Sequence, residues 1–187
     1  YHIERLAAAG FAELVINTAW LGEQIEHHLG AGERFGVRIR YSREGDPLET
    51  AGGIIEALPL LGEAPFVVVN GDIWTDFDFA GLRRTPASEA HLVLVDNPEH
   101  NAGGDFRLDD QGRVSLETGR PLTFSGIGLY RPEFFAGLAP GERPLSELLA
   151  AAIKRGKVTG EHYPGVWLDI GTPERLRQLD RQLEGSS

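Results

Sequence analysis

Apolar positions along this chain follow two periods. Glu13-Leu14-Val15-Ile16-Asn17, His91-Leu92-Val93-Leu94-Val95 and Val158 to Tyr163 are short runs of strand length, and Val37-Arg38-Ile39-Arg40-Tyr41 alternates, as a strand with one polar face near a sheet edge does. Phe66-Val67-Val68-Val69 is apolar throughout and mostly β-branched, the pattern of a strand buried on both faces. Between these runs the spacing lengthens. Residues 2–9 read as a helix closed by Gly10, and Trp20 to Leu29 carries Leu21, Ile25 and Leu29 on one helical face. Further helices are predicted after Glu49, over Asp78–Arg84, over Ser146–Arg155 closed by Gly156, and from Glu174 to Leu183. Phe106-Arg107-Leu108, a turn at 109–112, and Val114 with Leu116 predict a hairpin, and Leu122 to Tyr130 a longer strand. Gly185-Ser186-Ser187 reads as a frayed end. Strand-helix-strand order calls for right-handed crossovers. The expected fold is therefore α/β: one domain with a mostly parallel, mixed, Rossmann-like sheet flanked by helices.

Two carboxylates stand where such folds do chemistry. The buried run at Phe66 ends in Asn70-Gly71-Asp72, and Val166-Trp167-Leu168-Asp169-Ile170-Gly171 repeats the design. Ligands of open α/β sheets bind beyond the carboxyl ends of strands. Asp72 and Asp169 can meet there over one divalent cation, which prefers hard oxygen ligands; each can equally be a turn residue or helix cap. Gly52 and Gly53 sit in the first turns of a helix, where each costs about 1 kcal/mol relative to Ala. Either a ligand or a neighbouring element must approach the backbone closely there. Gly126 and Gly128 inside a strand mark a close approach or a bulge. Trp74 and Trp167 read as wall and core, His27 and His28 as helix surface, and Arg155 and Lys157 as exposed cations near a helix end.

Charge narrows the partners. A net charge of −10 argues against nucleic acid and anionic membranes, yet permits a phosphorylated substrate at a site where a metal ion reverses the field. Without cysteine there is neither a disulfide framework nor thiolate chemistry, which fits a cytoplasmic location. No apolar run approaches membrane-spanning length and no signal peptide is visible. The chain opens at Tyr1-His2-Ile3 inside a helix, from which a missing N-terminal segment is expected.

Together these segments resemble the sugar-1-phosphate nucleotidyltransferases. The resemblance rests on Asn17-Thr18-Ala19-Trp20-Leu21-Gly22, Pro47-Leu48-Glu49-Thr50-Ala51-Gly52-Gly53, Val69-Asn70-Gly71-Asp72, His91 to Pro98, Thr123-Phe124-Ser125-Gly126-Ile127, Gly160-Glu161-His162-Tyr163 and Trp167-Leu168-Asp169-Ile170-Gly171-Thr172. It runs nearly the whole length and is closest to the branch that uridylylates N-acetylmuramate 1-phosphate in cell-wall recycling. It implies a nucleotide-binding half (1–98), and a sugar-binding half with the C-terminal helix (99–187). It implies UTP and a sugar 1-phosphate as substrates, with Mg²⁺ held by Asp72 and Asp169 as metal-binding catalytic residues. Glu49, Gly52, Gly53, Asn70 and Gly71 match the nucleotide side, and Asp105, Ser125 and Gly126 the sugar side. Asp105 reads equally as a hairpin turn residue. A mannose 1-phosphate guanylyltransferase-like enzyme and a non-catalytic nucleotide-sugar-binding module are the alternatives. One departure is plain: the family's N-terminal strand, its Gly-rich loop with Arg and its Pro-Lys-Pro segment have no match here. On this reading residues 1–187 alone are expected to be inactive and prone to self-association.

Overall fold

The protein is described by a computed structural model that covers residues 1–45, 48–83 and 88–184. Asp46 and Pro47, just ahead of the Leu48 to Gly53 segment, Arg84 of the predicted short helix, and residues 185–187 lie outside the described residues. Helix α1 (His2–Ala8), strand β1 (Glu13–Thr18), helix α2 (Gly22–Leu29) and strand β2 (Arg38–Arg43) open the chain. Helix α3 (Glu49–Leu61) leads to β3 (Phe66–Val69) and β4 (Ile73–Thr75). Strand β5 (Ala90–Val95) precedes the hairpin of β6 (Phe106–Leu108) and β7 (Val114–Ser115), and β8 (Arg120–Tyr130) follows. Helix α4 (Leu145–Lys154), β9 (Val158–Tyr163), β10 (Trp167–Asp169) and α5 (Pro173–Glu184) complete it.

The main sheet, in the order β7-β6-β8-β5-β9 with β3 also on β8, is mixed, while β1 with β2 and β4 with β10 form separate two-stranded sheets; the pairing is less parallel than the strand-helix-strand rhythm implies. Parallel pairing joins β1 to β2 and β5 to β9. Strand β8 runs antiparallel to both β3 and β5. The reason lies in the connection: the β6–β7 hairpin replaces a crossover helix between β5 and β8, so the chain returns in the opposite direction. As the alternation predicts, β2 is an edge, with Ile39 and Ser42 buried and the arginines at 38, 40 and 43 exposed.

Strand β5 explains its own continuous apolar run. Leu92 and Leu94 point into a core shared with Ile54, Ile55, Tyr130, Leu149 and Ile153. Val93 points the other way, to Phe79, Leu82, Ile127 and Leu129. Full burial of each such side chain contributes about 1.5–3 kcal/mol, and helices or 3₁₀ turns cover both faces. Helix α2 begins two residues later than the periodicity suggests. A Cβ on Gly22 would stand 3.1 Å from Thr18 Cβ, so the chain leaves β1 sharply. Leu21 takes a left-handed conformation (φ 57°), and Trp20 stands 85% exposed.

Among the described residues β1 pairs only with β2, and β3 only with β8. Between β1 and β3 lies a groove of about 590 Å³, lined by apolar side chains including Leu6, Phe11, Val15, Ile54, Val67 and Val69. Polar side chains also line it, among them Asn17, Glu44, Glu49, Thr50 and Asn70, together with His2, Glu13 and Arg40.

Candidate active site

Asp72 and Asp169 come together because of a short antiparallel ladder. Strand β10 pairs with β4 so that Asp169 lies opposite Ile73, and the Ile170 amide donates to Asp72 O at 2.8 Å. The side chains face one another across Gly171. A Cβ there would stand 3.1 Å from Asp72 Oδ2 and 3.2 Å from Asp169 Oδ1, so a side chain at this position would crowd the space between the carboxylates.

The two carboxylates differ in surroundings. Asp169 Oδ1 accepts from the Gly171 amide (2.9 Å), and Oδ2 accepts from Arg175 Nη1 (2.5 Å), with His100 Nε2 3.5 Å away. Partial burial by itself raises the Asp169 carboxyl, but the Gly171 amide, Arg175 and His100 outweigh it and hold the group below the usual carboxylate range. Asp72 is exposed, and its carboxylate accepts no hydrogen bond from the described residues. Among the described residues no group of three or more His, Cys, Asp or Glu side chains gathers to hold a metal. The chain thus offers two hard oxygen donors facing one gap, a set that suits a cation completing its shell with water and substrate oxygens.

The glycines of α3 answer first to the protein's own packing. A Cβ on Gly52 would collide with Gly141 O, and one on Gly53 with the Glu44 carboxylate and Asn17 amide. Gly53 lines the groove together with Glu49, Thr50, Asn70 and Gly71, whereas Gly52 does not. Glu49 itself is left-handed, with φ 62°, a strained setting for a residue with a side chain.

On the other flank, Ser125 and Gly126 form the bulge of β8, where the register with β5 shifts. Ser125 Oγ donates to Val93 O (2.7 Å) and accepts from the Ile127 amide (3.1 Å), so the hydroxyl closes the bulge internally. Gly126 has φ 79°, and its Cβ position lies 2.8 Å from Asn70 Cγ. The Asn70 amide also donates to Gly126 O (2.9 Å), which locks the end of β3 to the bulge. Asp105 has both oxygens engaged, accepting from the Phe124 amide (2.8 Å) and Asn101 Nδ2 (2.9 Å). Trp167 donates its indole N–H to Ser125 O (2.9 Å), and Trp74 stacks on Tyr1. His27 and His28 are exposed, and Arg155 pairs with Glu89 at 2.9 Å.

Sequence reasoning passed over Gly171, Arg175, His100, Asn17 and Glu44 as site residues. Gly171 carried a signal, since it follows the second aspartate as Gly71 precedes the first. His100 carried none, because only the fold brings its loop to Asp169.

Residues 1–186 match the family described as nucleotidyl transferase. The N-acetylmuramate alpha-1-phosphate uridylyltransferase of Neisseria meningitidis serogroup B is 50% identical over 187 residues, covering 95% of this chain and 81% of that protein. The enzyme of the same name from Caulobacter vibrioides is 32% identical, covering 97% and 81%. The crystal structure of HddC from Yersinia pseudotuberculosis superimposes with a TM-score of 0.80 at 17% identity, covering 97% of this chain and 83% of that one, a likeness of fold. With a match over nearly its whole length, this chain belongs to the nucleotidyl transferase family.

Proposed function

We propose that this protein transfers the uridylyl group of UTP to N-acetylmuramate 1-phosphate, giving UDP-N-acetylmuramate and pyrophosphate, a step of cell-wall recycling. The similarity to the Neisseria enzyme supports the substrates, and the observation that carries the chemistry is the pair Asp72 and Asp169 facing one another across Gly171. In the reaction a phosphate oxygen of the sugar phosphate bonds to the α-phosphorus of UTP. The bond from that phosphorus to the bridging oxygen breaks, and pyrophosphate leaves with the electron pair. No covalent intermediate on the protein is needed, so positioning and electrostatics supply the rate.

Each part of the site then has a task. Asp72 and Asp169 are the residues that would hold Mg²⁺, which supplies charge neutralisation on the phosphate oxygens. Arg175 and the Gly171 amide fix the Asp169 carboxylate. Glu49, with Gly52 and Gly53 behind it, serves the uracil, its carboxylate accepting from the imino N–H. Asn70 and Gly71 border the nucleotide, and the Asp105 loop with Ser125 and Gly126 shapes the sugar side. A groove lined by both apolar and polar side chains suits a nucleoside better than a bare phosphate. The test is a panel of the four nucleoside triphosphates with N-acetylmuramate 1-phosphate and with mannose 1-phosphate, the products identified by mass. Clear preference for UTP with the muramate sugar is expected. Faster turnover of GTP with mannose 1-phosphate overturns the assignment, and nucleotide-sugar binding without any turnover reduces the protein to a binding module.

A further inference from the structure

Asp169 reaches Asp72 from a strand with little of its own to hold it. Strand β10 is three residues long and among the described residues pairs only with β4, Trp167 opposite Thr75, Leu168 opposite Trp74 and Asp169 opposite Ile73. The pair stands apart from the main sheet, and two-stranded ladders are marginal by themselves. Register matters here because side chains alternate, so a slip of one residue would turn Asp169 to the opposite face. One end of the ladder is fixed by the Ile170 amide donating to Asp72 O. The other end is fixed at Val166.

Val166 is 48% exposed, so burial of its side chain does not anchor it. Its backbone is held instead. The carbonyl accepts from Thr75 Oγ1 at 2.8 Å and from the Asp76 amide at 3.3 Å, and the amide donates to Asp76 Oδ1 at 2.8 Å. The same oxygen of Asp76 accepts from the Tyr163 hydroxyl. Tyr163 ends β9, and its side chain folds back over the turn that follows, where a Cβ on Gly165 would collide with the hydroxyl and the ring. Phe77 meets that ring edge-on, the centroids 5.1 Å apart. One carboxylate oxygen thereby ties both ends of the connection from β9 to β10 to the residue that follows β4.

We propose that Asp76 and Tyr163 are positioning residues for the metal site: they fix the entry of β10, and with it the register that points Asp169 at Asp72. This rests on the reading that the two aspartates share Mg²⁺. Three residues of strand, about 10 Å, separate Val166 from Asp169, so the pair acts through the backbone rather than on the ion. Without either donor or its acceptor, β10 frays or slips, and Asp72 faces the ion alone.

The experiment measures, in the complete protein without substrate, Mn²⁺ affinity by calorimetry and hydrogen exchange of the Ile170 amide by NMR, then turnover against Mn²⁺ concentration. The variants are Tyr163→Phe, Asp76→Ala, Asp76→Asn, Asp169→Asn and Leu149→Ala. Leu149 is buried in the core on the other face of the sheet, so Leu149→Ala lowers stability by leaving a cavity there. Tyr163→Phe loses only the hydroxyl. This variant and Asp76→Ala are expected to bind Mn²⁺ about tenfold more weakly, the lower end of losses when groups that orient metal ligands are removed. Both are expected to exchange the Ile170 amide faster and to regain turnover as Mn²⁺ is raised. Asp76→Asn keeps an Oδ1 acceptor for both donors and is expected to restore most of the affinity. Leu149→Ala is expected to melt lower than the parent yet bind Mn²⁺ as the parent does. Parental affinity and Ile170 exchange in Tyr163→Phe and Asp76→Ala, with binding weakened in Asp169→Asn, overturn the positioning role and leave the metal reading standing. If Asp169→Asn binds Mn²⁺ like the parent, the shared-metal reading fails and the proposal with it. An equal loss in Leu149→Ala assigns the effect to stability and overturns the proposal as well. Should Asp76→Ala not fold, Tyr163→Phe decides alone.

Discussion

At the scale of single residues, little room separates the Asp72 and Asp169 carboxylates, with Gly171 between them. A side chain at Gly171 would crowd the gap, and Gly171→Ala tests whether the open space matters. The variant is expected to keep its melting temperature but bind Mn²⁺ about 10–100-fold more weakly by calorimetry, the scale of losses when the surroundings of metal ligands change. Unchanged Mn²⁺ affinity would show that the gap does not receive the ion. A second pair governs pH dependence. Asp76 accepts from Tyr163 Oη and, at 2.8 Å, from the Val166 amide. The Tyr163 hydrogen bond first, then the Val166 amide, hold Asp76 below its usual range against partial desolvation. Burial first, then Asp76, pushes Tyr163 up to about 12. A depressed carboxyl contributes stability that is present above its unfolded value near 3.9 and lost as the pH falls through the folded one. A raised phenol contributes stability that is present below pH of about 10 and lost as the pH rises towards its folded value. Denaturant titrations of Asp76→Asn are therefore expected to flatten the acid limb and those of Tyr163→Phe the alkaline limb. Parallel curves for variant and parent would remove the pair from the pH response.

At the scale of elements, β8 bears the heaviest demands. Its first half pairs with β6, and its second half lies between β3 and β5. The bulge at Ser125-Gly126 turns the strand so that Asn70 packs where a Cβ would otherwise stand. Gly126→Ala is expected to destabilise by about 1–3 kcal/mol in denaturant unfolding, from backbone strain and from displacing Asn70. A neutral substitution would mean the bulge is not held by this contact. Further along, Tyr130 is wholly buried and its hydroxyl has no partner among the described residues. An unpaired buried donor costs free energy, so Tyr130→Phe is expected to be neutral or stabilising by about 1 kcal/mol, and a marked loss would reveal a partner for the hydroxyl. Most elements were legible from period alone, β5 and β9 nearly to the residue. What escaped was geometry set by distant parts of the chain. The sequence between β5 and β8 shows a hairpin, but not that it reverses β8. Leu21 fits a helical face, and it is the packing of Gly22 on Thr18 that excludes it.

At the scale of the whole molecule, the site belongs to no single segment. Strand β3 and the turn after it supply Asp72, the β10 end supplies Asp169, and loop 99–101 and helix α5 add His100 and Arg175. The two aspartates were legible because each follows an apolar run and neighbours a glycine. Their partners were not, since a lone His or Arg says nothing until the fold gives it a carboxylate. Against the excess of negative charge over the chain, a local cation such as Arg175 beside Asp169 eases the approach of a polyphosphate. No helix among the described residues is long and apolar enough to cross a membrane. The central claim is that Asp72 and Asp169 act as one centre in uridylyl transfer. The most direct measurement is pyrophosphate release from UTP and N-acetylmuramate 1-phosphate by the complete protein and by Asp72→Asn and Asp169→Asn, each shown by circular dichroism to be folded. The account predicts that turnover falls about a hundredfold or more in each, the loss that removal of one electrostatic contact at a reacting centre brings. Parental turnover in either folded variant would contradict it.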